Sequence, residues 1–280
     1  MTIRIESGRA WGLACMLFAV SFASSLCVSS ESALAAPRAS ELGAEVALTE
    51  PSNGYVGHLK VSPAHAPVGT PLTVTGENFP PEQELELVWR TVKGSWKVTI
   101  AEYFGREFTP TAYRIATVKS DAAGRIAATF VAPEDFGFLH DVVVQQGDRL
   151  LTQTAFELDM TAKVVGAQSG PLGTPIDVEV QGIGWRELEG SWVFIYDNKF
   201  TGFMSVVTTA GSARFSIPAT GHVGRHILEV QHSDFGSPYR NTQQSPVPDR
   251  PTFKLDFTIT PGLRRRSLSA TFASTSLAIA

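Results

Sequence analysis

The chain has 280 residues, with 27 Asp and Glu against 23 Lys and Arg, a formal net charge of −4 and an isoelectric point near 5.9. It therefore lacks the general basic field that draws a protein to a phosphate backbone, and a nucleic-acid partner is not expected. Hydrophobic residues make up 43%, and 24 Gly and 17 Pro are spread along the sequence, which suits many short strands separated by turns and argues against disorder for most of the chain.

Residues 1–35 have the layout of a secretory signal peptide. Arg4 and Arg9 give a positive start, an apolar run extends from Trp11 to Cys27, and Ala33-Leu34-Ala35 supplies the small residues of a cleavage site. The apolar run is interrupted by serines and falls short of the roughly 20 residues a spanning helix wants. Cleavage after Ala35 is expected, leaving a secreted or periplasmic product, free or associated with the cell surface, with no stable membrane insertion afterwards. Both cysteines, Cys15 and Cys27, lie inside this segment, so the mature chain would carry no disulfide. Leu26 stands where lipid attachment at Cys27 would need a small residue.

Residues 36–54 show no periodic pattern and read as a flexible leader. From Tyr55 the pattern becomes strand and turn. Leu85, Leu87 and Trp89 alternate with Glu84, Glu86 and Arg90, the period of two expected of a sheet with one buried and one wet face.

An internal repeat organises the chain from Tyr55 onward. Gly69-Thr70-Pro71-Leu72-Thr73-Val74-Thr75-Gly76 is echoed by Gly173-Thr174-Pro175-Ile176-Asp177-Val178-Glu179-Val180. Phe130-Val131-Ala132-Pro133 answers Phe215-Ser216-Ile217-Pro218, and His140-Asp141-Val142-Val143-Val144 answers His226-Ile227-Leu228-Glu229-Val230. Thr154-Ala155-Phe156-Glu157-Leu158-Asp159 then answers Pro251-Thr252-Phe253-Lys254-Leu255-Asp256. The changing offset puts an insertion of roughly 18 residues between Arg90 and Lys119 of the first copy, and one of roughly 11 between Ser233 and Arg250 of the second. The expected fold is all-β: two tandem immunoglobulin-like β-sandwiches, domain 1 at residues 55–160 and domain 2 at 161–262, followed by a disordered tail at 263–280.

The opening of the first copy, Val61-Ser62-Pro63 followed by Pro67-Val68-Gly69-Thr70-Pro71-Leu72-Thr73-Val74-Thr75-Gly76-Glu77-Asn78-Phe79, resembles that of IPT/TIG-type domains. In the second copy Trp185 takes the place of Phe79, and Val61-Ser62-Pro63 has no close counterpart. The resemblance implies a binding or spacing module of surface and secreted proteins, and it brings no catalytic residues.

The first insertion concentrates the candidate contacts. Trp96, Tyr103, Phe104, Phe108 and Tyr113 lie together, mixed with Lys93, Lys97, Arg106 and Arg114, and aromatic rings flanked by Arg are typical of contact surfaces. Phe235 and Tyr239 in the second insertion are further candidates. The expected partner is an envelope polysaccharide or a protein, reached through these ligand-binding candidates: Trp96, Tyr103, Phe104, Arg106, Phe108, Tyr113, Phe235 and Tyr239.

Six histidines raise a metal reading, but His226 and His232 lie about 20 Å apart along an extended strand, too far for one ion. His140 also recurs at the place of His226, which suggests a structural role. No metal and no cofactor are expected. The sequence carries no G-x-S-x-G elbow, no phosphate loop and no H-E-x-x-H, so a non-catalytic protein is expected. The alternative is a secreted hydrolase with its site between the two sandwiches. Clustered exposed aromatics would favour binding, and a cleft with convergent Asp, Glu or His would favour catalysis. Partner binding by strand addition at an open sheet edge suits such a fold but has no residue signature.

Overall fold

A computed structural model describes residues 35–51, 54–185, 191–197, 199–232 and 252–262, all within the compact unit Ala35–Ala280. The expected signal peptide, the disordered tail and the second insertion with Phe235 and Tyr239 lie outside the described residues. The fold is all-β, with sixteen described strands and a single 3-10 turn, Ala39–Glu41. Among the described residues no helix is long and apolar enough to cross a membrane.

The strands of the first half are β1 (His58–Ser62), β2 (His65–Pro67), β3 (Pro71–Glu77), β4 (Glu84–Val98), β5 (Tyr103–Lys119), β6 (Ile126–Val131), β7 (Phe138–Gln146) and β8 (Arg149–Asp159). Those of the second are β9 (Thr161–Val165), β10 (Ser169–Gly170), β11 (Pro175–Gln181), β12 (Ser191–Tyr196), β13 (Lys199–Ser205), β14 (Ala213–Pro218), β15 (Gly224–His232) and β16 (Thr252–Ile259). They form four sheets, ordered β1-β3-β6 and β2-β8-β7-β4-β5 in the first half, β9-β11-β14 and β10-β16-β15-β12-β13 in the second. Strand for strand, the two halves have the same order.

Alternation along the strands decides what is buried. Leu72 and Val74 point inward from β3 while Thr73 and Thr75 stay wet, and Ile176, Val178 and Val180 do the same on β11. In the first half Leu85, Leu87 and Trp89 of β4 meet Val142, Val144, Phe156 and Leu158 from the same sheet and Val61, Leu72, Val74 and Ile126 from the other, forming one core. Trp192, Phe194, Tyr196, Leu228, Val230, Phe257 and Ile259 build the second core against β11. Met160 alone separates β8 from β9.

The hydrogen-bonded register corrects the repeat alignment in two places. Ala132 accepts from the Gly69 N–H (2.8 Å) as Ala219 accepts from the Gly173 N–H (2.9 Å), so Phe130 corresponds to Ile217, two residues beyond the Phe215 of the sequence alignment. His140 pairs with Phe156 and His226 with Phe257, so the last strand is displaced by four residues from the sequence match with Phe253. Both slips are even-numbered. An even slip keeps every side chain on its own face, so the apolar pattern by itself does not detect it.

Residues 37–51, expected to be part of a flexible leader, are instead laid along the first half. Glu134 donates its N–H to Pro37 O (2.8 Å), Val46 donates to Ala112 O (3.0 Å), and the Arg114 N–H donates to Ala44 O (3.0 Å). Ala39 enters the core, and Val46 covers a small outer cluster of Val88, Ala112, Val143 and Leu150. The strap satisfies backbone groups that the edge strand β5 would otherwise leave unpaired. Such pairing leaves no periodic trace in a short polar segment.

Candidate functional site

The first insertion is a hairpin arm. Trp89 and Tyr196 hold equivalent places, paired across their sheets with Val142 and Leu228. In the second half Tyr196 pairs with Lys199 on the next strand, after a turn at Asp197. In the first half Trp89 pairs with Tyr113, and β4 continues through Val98 while β5 returns from Tyr103. β7 pairs with β4 only as far as Trp89, and the nine residues from Arg90 to Val98 continue about 30 Å past that last pairing, at roughly 3.3 Å per residue.

The lower part of this arm lies against the second half. Gly94 sits so close to the Val207 carbonyl that a Cβ would have no room, and the Phe108 ring packs edge-on against Phe136 (5.7 Å between centroids, 85°) and tilted against Trp185 (5.9 Å). Beside it the backbones of the two halves bond directly where the Gly137 N–H donates to Ile183 O at 3.0 Å, and within the second half the Ile183 N–H donates to Gly211 O, also at 3.0 Å. The upper part carries Trp96, opposite Arg106, at 37% exposure, with Val98 and Ile100 still more exposed.

The candidate residues thus fall into separate environments. Trp96 is on the projecting part of the arm and Arg106 is half-buried across from it. Phe108 belongs to the junction between the halves, and Tyr113 is buried in the first core with Lys93 Nζ 5.9 Å from its ring centroid. Tyr103 and Phe104 begin the returning strand. One apolar contact surface gathering all of these rings does not form, because the inner and outer portions of the hairpin serve different neighbours.

Where the arm leaves the sheet, a cleft of about 270 Å³ opens between the strap, β4 and the 206–210 turn of the second half. Its floor holds Asp135, 1% exposed. One Asp135 oxygen accepts from the Trp89 indole N–H and the other from the Phe136 N–H, each at 2.8 Å. Behind it stands His140, with Nδ1 4.0 Å from Asp135 Oδ2 and the imidazole stacked on Trp89 (4.4 Å, 23°). Burial pushes the Asp135 carboxyl up from its ordinary value, and the neighbouring His140 with the Trp89, Thr91 and Phe136 donors pulls only partly the other way.

His140 is tied at both nitrogens. Nδ1 is 3.0 Å from Arg90 O and Nε2 is 2.6 Å from Phe136 O. Both ring nitrogens are thus engaged by backbone carbonyl oxygens inside the protein. The sequence pattern, in which His140 reads as a strand-start residue only, gives no sign of Asp135 and its cleft. The one available signal was the repeated histidine itself.

No protein-family model and no curated protein matches the chain. Among solved structures it is similar to a Pseudomonas fluorescens alkylpurine DNA glycosylase AlkC bound to DNA containing an abasic site analog (18% identity, 37% of this chain, 30% of that one, TM-score 0.24). It is similar also to the native conformation of E. coli alpha-2-macroglobulin (12%, 73% and 17%, 0.28) and to the Bacillus subtilis sporulation control protein Spo0M (10%, 73% and 91%, 0.25). The chain spans less than a third of the first two. These likenesses assign no family.

Proposed function

We propose that this is an exported, non-catalytic binding or spacer protein, made of two immunoglobulin-like sandwiches of the IPT/TIG type. Its hairpin arm contacts an envelope polysaccharide or a protein partner. The carrying observation is the arm itself: its lower part is fixed to the second half at Gly94 and Phe108 while Trp96, Val98 and Ile100 remain exposed beyond it. A rigid arm holding apolar side chains in water incurs little ordering cost on association, which favours contact by a preformed surface. The alternative, hydrolysis in the cleft between the halves, has a carboxyl and a histidine in the right region, but both nitrogens of His140 are engaged by backbone carbonyls, which supports binding over catalysis.

The test is capture on immobilised residues 36–262, using envelope polysaccharide and envelope protein fractions separately, with and without the combined changes Trp96→Ala, Val98→Ser and Ile100→Ser. Saturable capture lost in the triple variant is the expected result. Equal capture by both forms, or by neither while circular dichroism shows both folded, would remove the arm from the binding surface.

A further inference from the structure

Where the chain passes from β8 to β9, a pocket of about 430 Å³ opens between the two halves. Each half supplies one partly buried ring: Phe138 begins β7 of the first, and Phe253 lies on β16 of the second. Met160, at the link itself, adds a polarisable thioether. Phe253 and Met160 pack against the second core, and Leu158, which also lines the pocket, belongs to the first. Phe138 is held with φ of 71°, a backbone conformation that a bulky residue rarely takes and that persists where its surroundings fix it, often at a ligand site.

The charge in this lining has one sign. Glu157 and Asp159 stand two residues apart on β8, so their side chains leave the same face of the strand. Among the described residues that line the pocket there is no Lys or Arg. His65 Nδ1 lies 3.1 Å from one Asp159 oxygen and answers that carboxylate, whereas Glu157 is exposed and makes no ion pair with a described residue. Glu157 is therefore the uncompensated charge. A metal ion takes several oxygen or nitrogen donors, and among the described residues no group of three His, Cys, Asp or Glu is placed to hold one. Two rings and a thioether beside a carboxylate suit instead a weakly hydrated organic cation, which is attracted to ring faces as well as to the opposite charge. The volume falls in the range of small-molecule sites, roughly 300–1,000 Å³.

We propose that this pocket binds the alkylammonium head of an organic cation, either a free amine or a lysine side chain of a peptide. Glu157 supplies the counter-charge, and Phe138, Phe253 and Met160 supply the apolar wall. Because rings come from both halves and Met160 alone links the strands on either side, the ligand would touch the first half, the second half and the link at once. This site is separate from the hairpin arm and does not depend on what the arm contacts.

Saturation-transfer NMR on the full chain tests the assignment, with choline and a capped lysine as probes, 3,3-dimethylbutanol as the uncharged isostere of choline, and acetate as the anionic control. At least one of the two amines is expected to bind, and which one does tells a free cation from a peptide side chain. The isostere should bind about tenfold more weakly than choline, and acetate not at all. Glu157→Gln, an exposed change, should weaken amine binding about three- to fivefold, and Glu157→Lys should abolish it. Phe253→Leu, which keeps an apolar wall but removes the ring, should narrow the gap between choline and its isostere. The arm variant Trp96→Ala with Ile100→Ser should bind the amine as the unaltered chain does. No amine signal from the folded chain, an isostere that binds as well as choline, or binding unchanged in Glu157→Lys would overturn the proposal.

Discussion

His140 and His226 hold the same place in the two halves, yet they are anchored in different ways. Each is the third residue of its strand, each sets Nε2 against the carbonyl four residues earlier (Phe136 O at 2.6 Å, His222 O at 2.7 Å), and each stacks on the aromatic of the neighbouring strand, Trp89 or Tyr196. The difference lies at Nδ1. His226 meets the side chain of Asp197 at 2.5 Å, whereas His140 meets only the backbone carbonyl of Arg90 at 3.0 Å. Arg90 and Asp197 are the residues directly after Trp89 and Tyr196. In the second half that residue is in a turn, with φ of 46°, and can aim its carboxylate back at the ring. In the first half the strand runs on into the arm, the position becomes an ordinary strand residue, and the nearby carboxyl comes from Asp135 in the preceding loop. The acid beside the histidine is therefore a half-exposed turn residue where the hairpin is short and a buried loop residue, lining the cleft, where the strand runs on.

The largest test of this contrast removes the two acids in turn. Asp135→Ala should cost about 1–3 kcal/mol in urea unfolding for each of the two donors it strands, because the Trp89 indole N–H and the Phe136 N–H are left buried without their acceptor. Asp197→Ala should cost about 1 kcal/mol, since that carboxylate is 36% exposed and its pair is partly screened. Equal costs would break the distinction between a buried and a solvent-facing acid.

Next in size is the junction that the arm and the Asp135 loop share. Gly137 lies against the Gly182 carbonyl with no room for a Cβ, so Gly137→Ala should lose about 1–3 kcal/mol through overpacking. Gly202, where a Cβ meets nothing, is the matched control, and Gly202→Ala should fall within about 0.5 kcal/mol of the unaltered chain. Limited proteolysis at the linkage around Met160 should accelerate in the first variant and not in the second.

A smaller effect separates the histidines by pH. The hydrogen bond to Asp197 holds His226 above its usual value, and although burial pushes Asp197 up, the His226 and Ile227 donors bring it below its own. Stabilisation from His226 is thus fully present below the ordinary histidine range near 6.5 and is lost as pH rises through the raised folded value; that from Asp197 is present above the ordinary carboxylate range and lost as pH falls through the lowered one. Melting temperature followed across the neutral range should decline on the alkaline side of His226, and His226→Gln should flatten that decline. An unchanged slope would mean that another group governs it. Smallest of all, Trp96→Ala should alter stability by no more than about 0.5 kcal/mol, in contrast to any buried ring of the same hairpin, such as Tyr113.

The run Leu85, Leu87, Trp89 and the echoed Gly-Thr-Pro strands made the β character, the repetition and the core positions legible, because a period of two maps directly onto buried and wet faces. The same period hid the even register slips at Phe130 and Phe156. The place of the insertion was readable from the changing offset, but its division into a docked base at Phe108 and a more exposed end at Trp96 was not, since that depends on Trp185 and Val207 arriving from the other half.

What the sequence determined by itself is the set of local choices: which residues favour strand, where the turns fall, and which side chains must leave water. Only the tertiary structure decided how those pieces serve one another. It took segment 37–51, with no periodic signal, as the cover of a sheet edge, and it made a loop acid, Asp135, the neighbour of His140. The physical reason is that a buried charge or an unpaired edge is satisfied by whatever donor or acceptor the packing brings near, and nearness in space between residues 38 and 134 or 94 and 207 is fixed by the assembled sheets rather than by any pattern along the chain.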